Sequence, residues 1–395
     1  MMGAGGLHTR MTDTVHVGNV QSNAGPEGMR RSATIRVDSE EFEVYFQSAD
    51  APLADGVEPF LALALPAAMA TGRRLAVDMP ISPKLLANLP ILQRRFAAQD
   101  PALRVVEVAA TPTTGQSPTK AERTGMFFSG GVDSFFTLFT HGHEIQDLVF
   151  VHGYDIRLSN GPLHAAALTS IRDVAAATGK RLIHVETNLR QFTNRFGDWA
   201  MRYHGPAKGA VALLLAPHLG RIYFNGEAIP QDQLDASRPT LDPLWSAETI
   251  EVLHFGDAHS RLEKLRAIHS QPLVRHHLRV CWENRGGQFN CGECSKCMRT
   301  MACLRALGCL EDFRRFDRPL DLQTLATLAL TTPLQRKELR GILEHVEARG
   351  TDPKMAHAIR RALKRRHTGR ALAPLKRTAT FMRHIVRMAM TQIST

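Results

Sequence analysis

A six-residue segment at 129–134, Ser-Gly-Gly-Val-Asp-Ser, has the residue types of a phosphate-binding loop. It follows an apolar run at 126–128 that is typical of a buried parallel strand, and it precedes three phenylalanines at helical spacing, Phe135, Phe136 and Phe139. Glycine lets a backbone approach an anion closely, and the N–H groups at a helix start carry partial positive charge. The segment therefore predicts a cradle for a pyrophosphate. The alternative is a tight turn between strand and helix with ordinary capping residues.

Four cysteines between residues 281 and 297 form a second cluster of residues that could do chemistry. Three of them stand in a Cys-x2-Cys-x2-Cys run, whose short turns let the sulfur atoms converge on one ion. Four thiolates suit a closed, tetrahedral zinc site. An iron–sulfur cluster is the alternative, because this spacing also occurs in ferredoxin-like ligation. The predicted ligands of Zn²⁺ are Cys281, Cys291, Cys294 and Cys297.

The glycine segment resembles the PP-loop of the N-type ATP pyrophosphatases, and it has neither the Gly-Lys-Ser/Thr of a Walker loop nor the six-residue dinucleotide fingerprint. Enzymes of that family adenylate a carbonyl or carboxylate oxygen, release pyrophosphate, and let a nucleophile displace AMP. The resemblance implies that ATP and Mg²⁺ bind here and that Asp133, near the magnesium ion, and Ser134 are catalytic. The residues that it assigns to the nucleotide's phosphates are Ser129, Gly130, Gly131, Asp133 and Ser134.

The PP-loop followed downstream by Cys-Gly-x-Cys-x2-Cys is similar to the 7-cyano-7-deazaguanine synthase group, over residues 124–305. Those enzymes adenylate a carboxylate on a deazapurine and use ammonia to form an amide and then a nitrile. This chain has long extensions on both sides of that range, whereas the nitrile-forming enzymes are compact. We therefore expect an ATP-dependent ligase that joins a small-molecule carboxylate to ammonia or an amine, with a different acyl substrate.

Two other functions stay open. A tRNA-modifying thiolase of the PP-loop class would adenylate a base carbonyl and install sulfur, but it would need a reactive or cluster-bound cysteine near the loop. None of the six cysteines lies near the loop in sequence. The third possibility is a non-catalytic nucleotide-binding scaffold, which the intact loop motif disfavours.

Composition and hydropathy indicate a soluble, cytoplasmic enzyme. The chain has 395 residues, of which 44% are hydrophobic, enough for two or three domains with a core. No run approaches the roughly 18 apolar residues that a membrane span requires. Residues 1–32 are rich in Gly and Asn and lack the apolar segment of a secretory signal, so they predict a disordered lead-in.

The formal net charge is +11, and most of it lies at the C-terminal end. Residues 351–395 contain eleven Lys or Arg and one Asp, so this segment alone carries +10. Basic residues interleaved with Ala, Leu, Met and Ile predict helices at 334–346, 353–366 and 372–390. Such a region indicates an anionic partner, either RNA or an acidic protein, and the alternative is a solvated terminal bundle.

The arrangement of predicted elements indicates an α/β fold. A hairpin at 34–47, helices at 57–71 and 83–96, and strands at 74–78 and 103–108 predict a small α/β module at 33–110. The segment 111–124, rich in Pro, Thr and Gly, predicts a linker. Strands that alternate with helices over 125–310 predict the doubly wound parallel sheet of a PP-loop domain containing the zinc module 281–297. A helical basic region at 311–395 completes the chain.

Polar residues stand where the predicted parallel strands 147–152, 181–186 and 221–225 end. Ligands of doubly wound sheets bind beyond the carboxyl ends of the strands. We therefore predict that the nucleotide is contacted by Tyr154, Asn225 and Glu227, with Asp155, Glu186 and Asn188 as further candidates. The alternative is that these residues cap helices or form turns.

The Pro-rich stretch between residues 229 and 247 predicts a substrate-binding loop, because loops of this length in compact domains are usually functional or disordered. Its candidate contacts are Asp242, Trp245 and the following Glu248. Lys208, at a predicted helix start, is interpreted as a solvated lysine, and His276 and His277 as surface residues.

Overall fold

Ten strands form one sheet in the part of the chain that the structure describes. The structure is a computed structural model that describes residues 13–115 and 119–365. The strand bounds are β1 Thr14–Gly25, β2 Gly28–Val37, β3 Glu40–Ser48, β4 Arg74–Val77, β5 Val108–Ala109, β6 Thr124–Phe127, β7 Asp147–His152, β8 Arg181–Thr187, β9 Arg221–Asn225 and β10 Glu251–Phe255. Along the sheet the order is β10-β9-β6-β7-β8-β3-β2-β1-β4-β5.

The five strands β8, β7, β6, β9 and β10 are parallel and confirm the predicted α/β sheet. The chain builds outward from β6 to β7 and β8 in one direction, then returns to the other side of β6 with β9 and β10. The strand order therefore reverses at β6. In open α/β sheets, the crevice at such a reversal is where ligands bind. The glycine segment follows β6 directly, so the topology places it at this crevice.

Nine α-helices of the same unit connect and cover these strands within the described residues. Several begin at side-chain caps: Ser82 Oγ accepts from the N–H of Leu85, and Ser260 and Glu263 form a reciprocal capping box. The helix bounds are α1 Glu58–Thr71, α2 Pro83–Gln99, α3 Val132–His141, α4 Gly161–Ala177, α5 Arg190–Phe196, α6 His204–Leu214, α7 Arg261–Ile268, α8 Pro272–His277 and α9 Ser295–Ala306.

The predicted α/β module at 33–110 shares one sheet with the five parallel strands. Its hairpin is confirmed, because β2 and β3 pair antiparallel across a turn where Asp38 has a φ of 58°. However, β3 also pairs antiparallel with β8, through Phe46 opposite Thr187 and Gln47 opposite Glu186. One compact unit, Met1–Pro319, therefore contains both predicted parts. The predicted boundary at 110–125 is corrected accordingly.

Three local predictions in this region are wrong. The lead-in predicted as disordered over 1–32 contains β1 and the start of β2, because Val15 and Val17 alternate into the core in spite of the polar composition; residues 1–12 lie outside the described residues. The strand predicted at 103–108 shrinks to β5, Val108–Ala109. Within the predicted linker 111–124, Pro112 bridges to Ile81 and Thr124 already begins β6.

A second compact unit, Leu320–Thr395, is helical in its described part. The predicted helices at 334–346 and 353–366 are observed with small changes at their ends, and the helix predicted at 372–390 lies outside the described residues. In the helix Pro353–Lys364 the buried side chains, such as Met355 and Ile359, lie on one side and the basic ones on the other. The helix bounds are α10 Leu322–Ala326, α11 Pro333–Arg349 and α12 Pro353–Lys364.

Among the described residues, the helices are all too short or too polar to pass through a lipid bilayer.

Candidate active site and metal centre

The glycine segment forms the predicted strand–turn–helix unit. β6 ends at Phe127, Gly130 turns with a left-handed φ of +74°, and Gly131 is the N-cap of α3. Ser134 Oγ donates to the carbonyl of Gly131 at 3.0 Å, and the N–H of Phe135 donates to the same oxygen. The amides of the first helical turn have no partner within a helix and carry the positive end of its dipole. This end of α3 is therefore suited to bind an anion.

The glycine segment borders a cleft that is open to solvent. Arg279, Lys208 and Lys296 bring positive charge to its lining. A backbone hydrogen bond ties the turn to the segment before the first cysteine, because the carbonyl of Gly130 accepts from the N–H of Arg279 at 2.8 Å. The predicted site residues that line the cleft are Ser129, Gly131, Asp133, Ser134, Tyr154, Asp155, Asn225 and Glu227.

A buried lysine holds the carboxylate of Asp133. Lys264 on α7 is 1% exposed, and its Nζ donates to Asp133 Oδ1 at 2.6 Å and to the carbonyl of Gly226 at 2.5 Å. The lysine thus links the glycine segment to the residue that follows β9. Because Lys264 contacts Oδ1, the second oxygen of Asp133 is the one that remains for a ligand on the cleft side.

Glu227 is surrounded by cations. Arg261 donates to its Oε1 at 2.7 Å, and the Nζ of Lys296 lies 3.6 Å from the same oxygen. Burial alone would raise the pKa of Glu227, but the charges of Lys296, Arg261 and Arg299 outweigh that effect and hold the pKa below its usual range. Glu227 is therefore ionised at neutral pH.

Lys208 is buried, so the interpretation of a solvated lysine is wrong. The residue is 4% exposed, because α6 packs into the core and carries Lys208 with it. Its Nζ donates to Ser237 Oγ at 2.6 Å, and Ser237 donates to Asp242 at 2.7 Å. Burial lowers the pKa of Lys208, while Asp242 acts in the opposite direction. Lys208 therefore lies in the cleft lining with its Nζ hydrogen-bonded within the protein.

Two further titratable groups near the cleft have shifted pKa values. Burial raises the pKa of Asp235 to about 7, against a hydrogen bond from the N–H of Ser237. Burial, followed by the charge of Lys208, lowers the pKa of His204 to about 3. His204 is therefore neutral near neutral pH, whereas Asp235 titrates there.

Tyr154 and Asn225 line the cleft, but each donates to the protein backbone. The Tyr154 hydroxyl donates to the carbonyl of Ala207 at 2.6 Å, and Asn225 Nδ2 donates to the carbonyl of Phe127 at 2.6 Å. Asn225 Oδ1 is buried with no hydrogen-bond partner in the described structure, and the same holds for Arg279 Nε.

The four predicted zinc ligands come together in one buried cluster. One sulfur atom from each cysteine lies within 4.8 Å of the others, with Cys281 and Cys294 at 3.9 Å and Cys291 and Cys297 at 4.0 Å. Four thiolates bound to zinc at 2.3 Å would stand about 3.8 Å apart, so the cluster fits a tetrahedral ion. Backbone N–H groups of Asn284, Cys294 and Cys297 donate to three of the sulfurs. The cluster could therefore hold a metal ion.

The cysteine cluster also borders the cleft. Cys281 is in the cleft lining, two residues after Arg279, whose N–H donates to Gly130. This proximity comes from the fold alone, because about 150 residues separate the two motifs in sequence. Cys281 is therefore near the loop in space although none of the six cysteines is near it in sequence.

Several predicted contacts lie outside the cleft. Asn188 ties β8 to β3, as its Oδ1 accepts from the N–H of Tyr45, and Glu186 accepts from the Tyr45 hydroxyl. Trp245 is fully buried and packs so closely on Gly209 that a Cβ there would lie 2.7 Å from its ring. Glu248 accepts from the N–H of Lys84 at the start of α2. Asp242 is buried under Lys208 and does not line the cleft.

The sequence predictions missed three cations of the site, Lys264, Arg261 and Arg279. The first two lie on α7, which follows β10, and neither element was predicted. The capping box at Ser260 and Glu263 was a local signal for that helix. No local pattern marks Arg279, which lies in irregular backbone between α8 and the first cysteine.

No protein-family model matches this chain, and no curated protein or solved structure matches it either.

Proposed function

We propose that this chain is an ATP-dependent ligase of the PP-loop class, which adenylates a small-molecule carboxylate and releases pyrophosphate. The observation that carries this proposal is the glycine segment at the reversal of strand order, with Gly130 in a left-handed turn and the start of α3 at the cleft. An anion-binding helix start at that position is the arrangement that a nucleotide's phosphates require. The PP-loop resemblance supplies the choice of ATP.

The residues divide the work between binding and charge stabilisation. Ser129 and the amides after Gly131 would hold the departing pyrophosphate. Lys208 and Lys296 would offset negative charge that develops at the α-phosphate, and fixed charges act strongly because they need no reorganisation. The free oxygen of Asp133 is the atom suited to a magnesium ion, which supplies charge neutralisation of the phosphates when bound. No protein nucleophile is needed, since the carboxylate substrate attacks the α-phosphate itself.

The four cysteines would hold Zn²⁺ in a structural role. A closed set of four thiolates leaves no open coordination position, so the ion would brace the segment that carries Arg279 and Cys281 at the edge of the cleft. The acyl acceptor would be ammonia or an amine, which displaces AMP from the activated carboxylate.

The test measures which products form from ATP. The protein is incubated with Mg²⁺, ATP, ammonium and a panel of carboxylates that includes a deazapurine carboxylate. Formation of AMP and pyrophosphate with one of these acids supports the ligase, whereas ADP and phosphate would contradict it. ATP binding without any product across the panel would favour the non-catalytic scaffold instead.

A pair of hydroxyl variants sharpens this test. Ser129→Ala removes an exposed hydroxyl at the cleft, and Thr140→Ala removes one from the far end of α3 that donates to Phe136. Loss of a hydrogen bond to a charged phosphate is expected to reduce pyrophosphate release by about 10- to 100-fold in Ser129→Ala. Thr140→Ala is expected to keep the unmutated rate. Equal rates in the two variants would argue against phosphate binding at this segment.

The position of Cys281 favours a second candidate, a tRNA-modifying thiolase. That chemistry requires a cluster-bound or reactive sulfur near the adenylated base, and Cys281 borders the same cleft as the glycine segment. Metal analysis of protein purified without oxygen separates the two candidates. Iron with inorganic sulfide and visible absorbance would support thiolation, while one zinc ion in a colourless protein would support the ligase.

A further inference from the structure

Three histidines lie close together on the side of the sheet that α4 covers, and none of them belongs to the cysteine cluster. His152 ends β7, His184 lies within β8, and His164 projects from the first half of α4. One ring nitrogen from each lies within 4.8 Å of the other two. Parallel strand pairing explains the meeting, because β7 and β8 run side by side in register and α4 connects them.

The closest approach is between two ring nitrogens of the same kind. His164 Nε2 and His184 Nε2 lie 3.1 Å apart. Two imidazole nitrogens bound at 2.0–2.1 Å to one tetrahedral ion would stand about 3.3 Å apart. The third ring is close too, since the His152 and His164 rings are parallel with centroids 3.7 Å apart. Because stacked rings direct their in-plane lone pairs side by side, one of these two rings would have to rotate for all three histidines to bind one ion.

The carboxylate of Glu186 contacts the ring of His152. Glu186 Oε2 lies 3.2 Å from His152 Nδ1, and its other oxygen accepts from the Tyr45 hydroxyl at 2.9 Å. Histidines that bind metals typically donate their second ring N–H to a carboxylate, which fixes the tautomer and the ring orientation. Nε2 of His152 lies 3.4 Å from the carbonyl of Arg157, so an ion bound at that nitrogen would replace this weak contact. Glu186, which was a candidate nucleotide contact in the sequence analysis, thus contacts a histidine of this cluster instead.

A neutral imidazole offers one lone-pair nitrogen to a metal ion. Imidazole donors suit zinc, nickel and copper ions better than calcium or magnesium.

We infer that His152, His164 and His184 form a second metal site, for a divalent transition-metal ion of the zinc class. Three imidazoles leave a fourth coordination position to water or another ligand. The site is independent of the proposed ligase function, since none of its three ligands lines the cleft. It is also separate from the cysteine cluster in its ligand chemistry, with nitrogen donors in place of sulfur.

The experiment counts zinc ions per chain after dialysis of the full-length protein against Zn²⁺. The unmutated protein is expected to hold two ions, and the double variant His164→Ala/His184→Ala one. His276→Ala is the matched control, because His276 is exposed and outside the cluster, and it is expected to keep two ions. Circular dichroism and urea unfolding of each variant show whether the fold is retained.

A folded double variant that still holds two zinc ions would overturn the inference, as would a single ion in the unmutated protein that is lost on mutation of Cys294. If the double variant does not fold, the unmutated protein still decides the question. Zn²⁺ is then expected to protect His164, but not His276, from chemical modification of the ring nitrogen.

Glu186→Gln should weaken zinc binding by about 10- to 100-fold, and unchanged affinity would contradict the role of that carboxylate.

Discussion

Lys264 Nζ lies 2.6 Å from Asp133 Oδ1, so a lysine that is 1% exposed holds the one carboxylate of the glycine segment. The two residues are far apart in sequence and come from α7 and α3, which pack together. The same Nζ donates to Gly226 after β9. This ion pair therefore joins the two strand ends between which the cleft lies.

Removal of Asp133 is expected to destabilise the fold as well as the site. Asp133→Ala would leave the ammonium of Lys264 buried with only the Gly226 carbonyl, and loss of one partner of a buried ion pair costs about 3–5 kcal/mol. Asp133→Asn keeps an acceptor and should cost less. Urea unfolding of both variants measures the difference. In a cycle with Lys264→Met, the double variant should lose less than the sum of the singles, and additive losses would show that the pair is not coupled.

Loss of the cysteine cluster is expected to release a metal ion and lower the stability of the segment around it. Cys294→Ser removes one of four converging sulfurs, and structural zinc sites contribute directly to folding free energy. Metal analysis should show about one zinc fewer per chain, and a chelator should lower the Tm of the unmutated protein. Cys309→Ser is the control, since Cys309 is buried outside the cluster and its sulfur contacts the Leu304 carbonyl. Equal zinc content in both variants would disprove the site.

The raised pKa of Asp235 predicts a dependence of stability on pH. Its pKa is about 7 in the folded protein, above the ordinary value of 3.8, so the folded state binds an extra proton between these values. The contribution of Asp235 to stability is therefore greatest below about pH 4 and is lost as pH rises to 7. Asp235→Asn, which can still accept from Ser237, should be more stable than the unmutated protein at pH 8, by of the order of 2–4 kcal/mol.

The check on Asp235 is a comparison of urea unfolding at two pH values. The stability difference between Asp235→Asn and the unmutated protein should shrink at pH 5, where the folded-state carboxyl is protonated. A difference that is the same at pH 5 and pH 8 would mean that Asp235 does not titrate with a raised pKa.

A side chain at Gly130 is expected to destabilise the turn. The φ of +74° at this residue disfavours L-residues by about 1–2 kcal/mol, although the nearest atom to an added Cβ, the carbonyl oxygen of His277, is at 3.4 Å. Gly130→Ala should therefore lower stability by about that amount and weaken ATP binding. Gly161→Ala at the start of α4 meets no atom within 4 Å and has no positive φ, so its stability should be unchanged or slightly higher. Calorimetry with ATP and urea unfolding measure both effects.

Local patterns predicted the parts of the site that are continuous in sequence. The apolar strand, the two glycines and the amphipathic start of α3 stand together, so the loop at 129–134 could be recognised from its residues. The four cysteines were equally recognisable, because metal ligation restricts the spacing of ligands within short turns.

The remainder of the site depends on long-range packing, which leaves no local pattern. Nothing around Lys264 marks it among 49 lysines and arginines as the partner of Asp133. Glu186 has the same local setting as the strand-end residues of the cleft, yet it faces Tyr45 and His152 because β3 pairs with β8. The pairing of Phe46 with Thr187 joins distant parts of the chain, and alternation within either strand does not reveal it.

The antiparallel junction of β3 with β8 has a consequence for solubility. Without the N-terminal strands, β8 would be a terminal strand with unpaired N–H and C=O groups, which is a template for pairing between molecules. In the whole chain the sheet instead continues to β5, which has only two residues and presents a much shorter row of unpaired groups. The N-terminal strands thus move this edge of the sheet from β8 to β5, and we expect fewer opportunities for strand pairing between molecules.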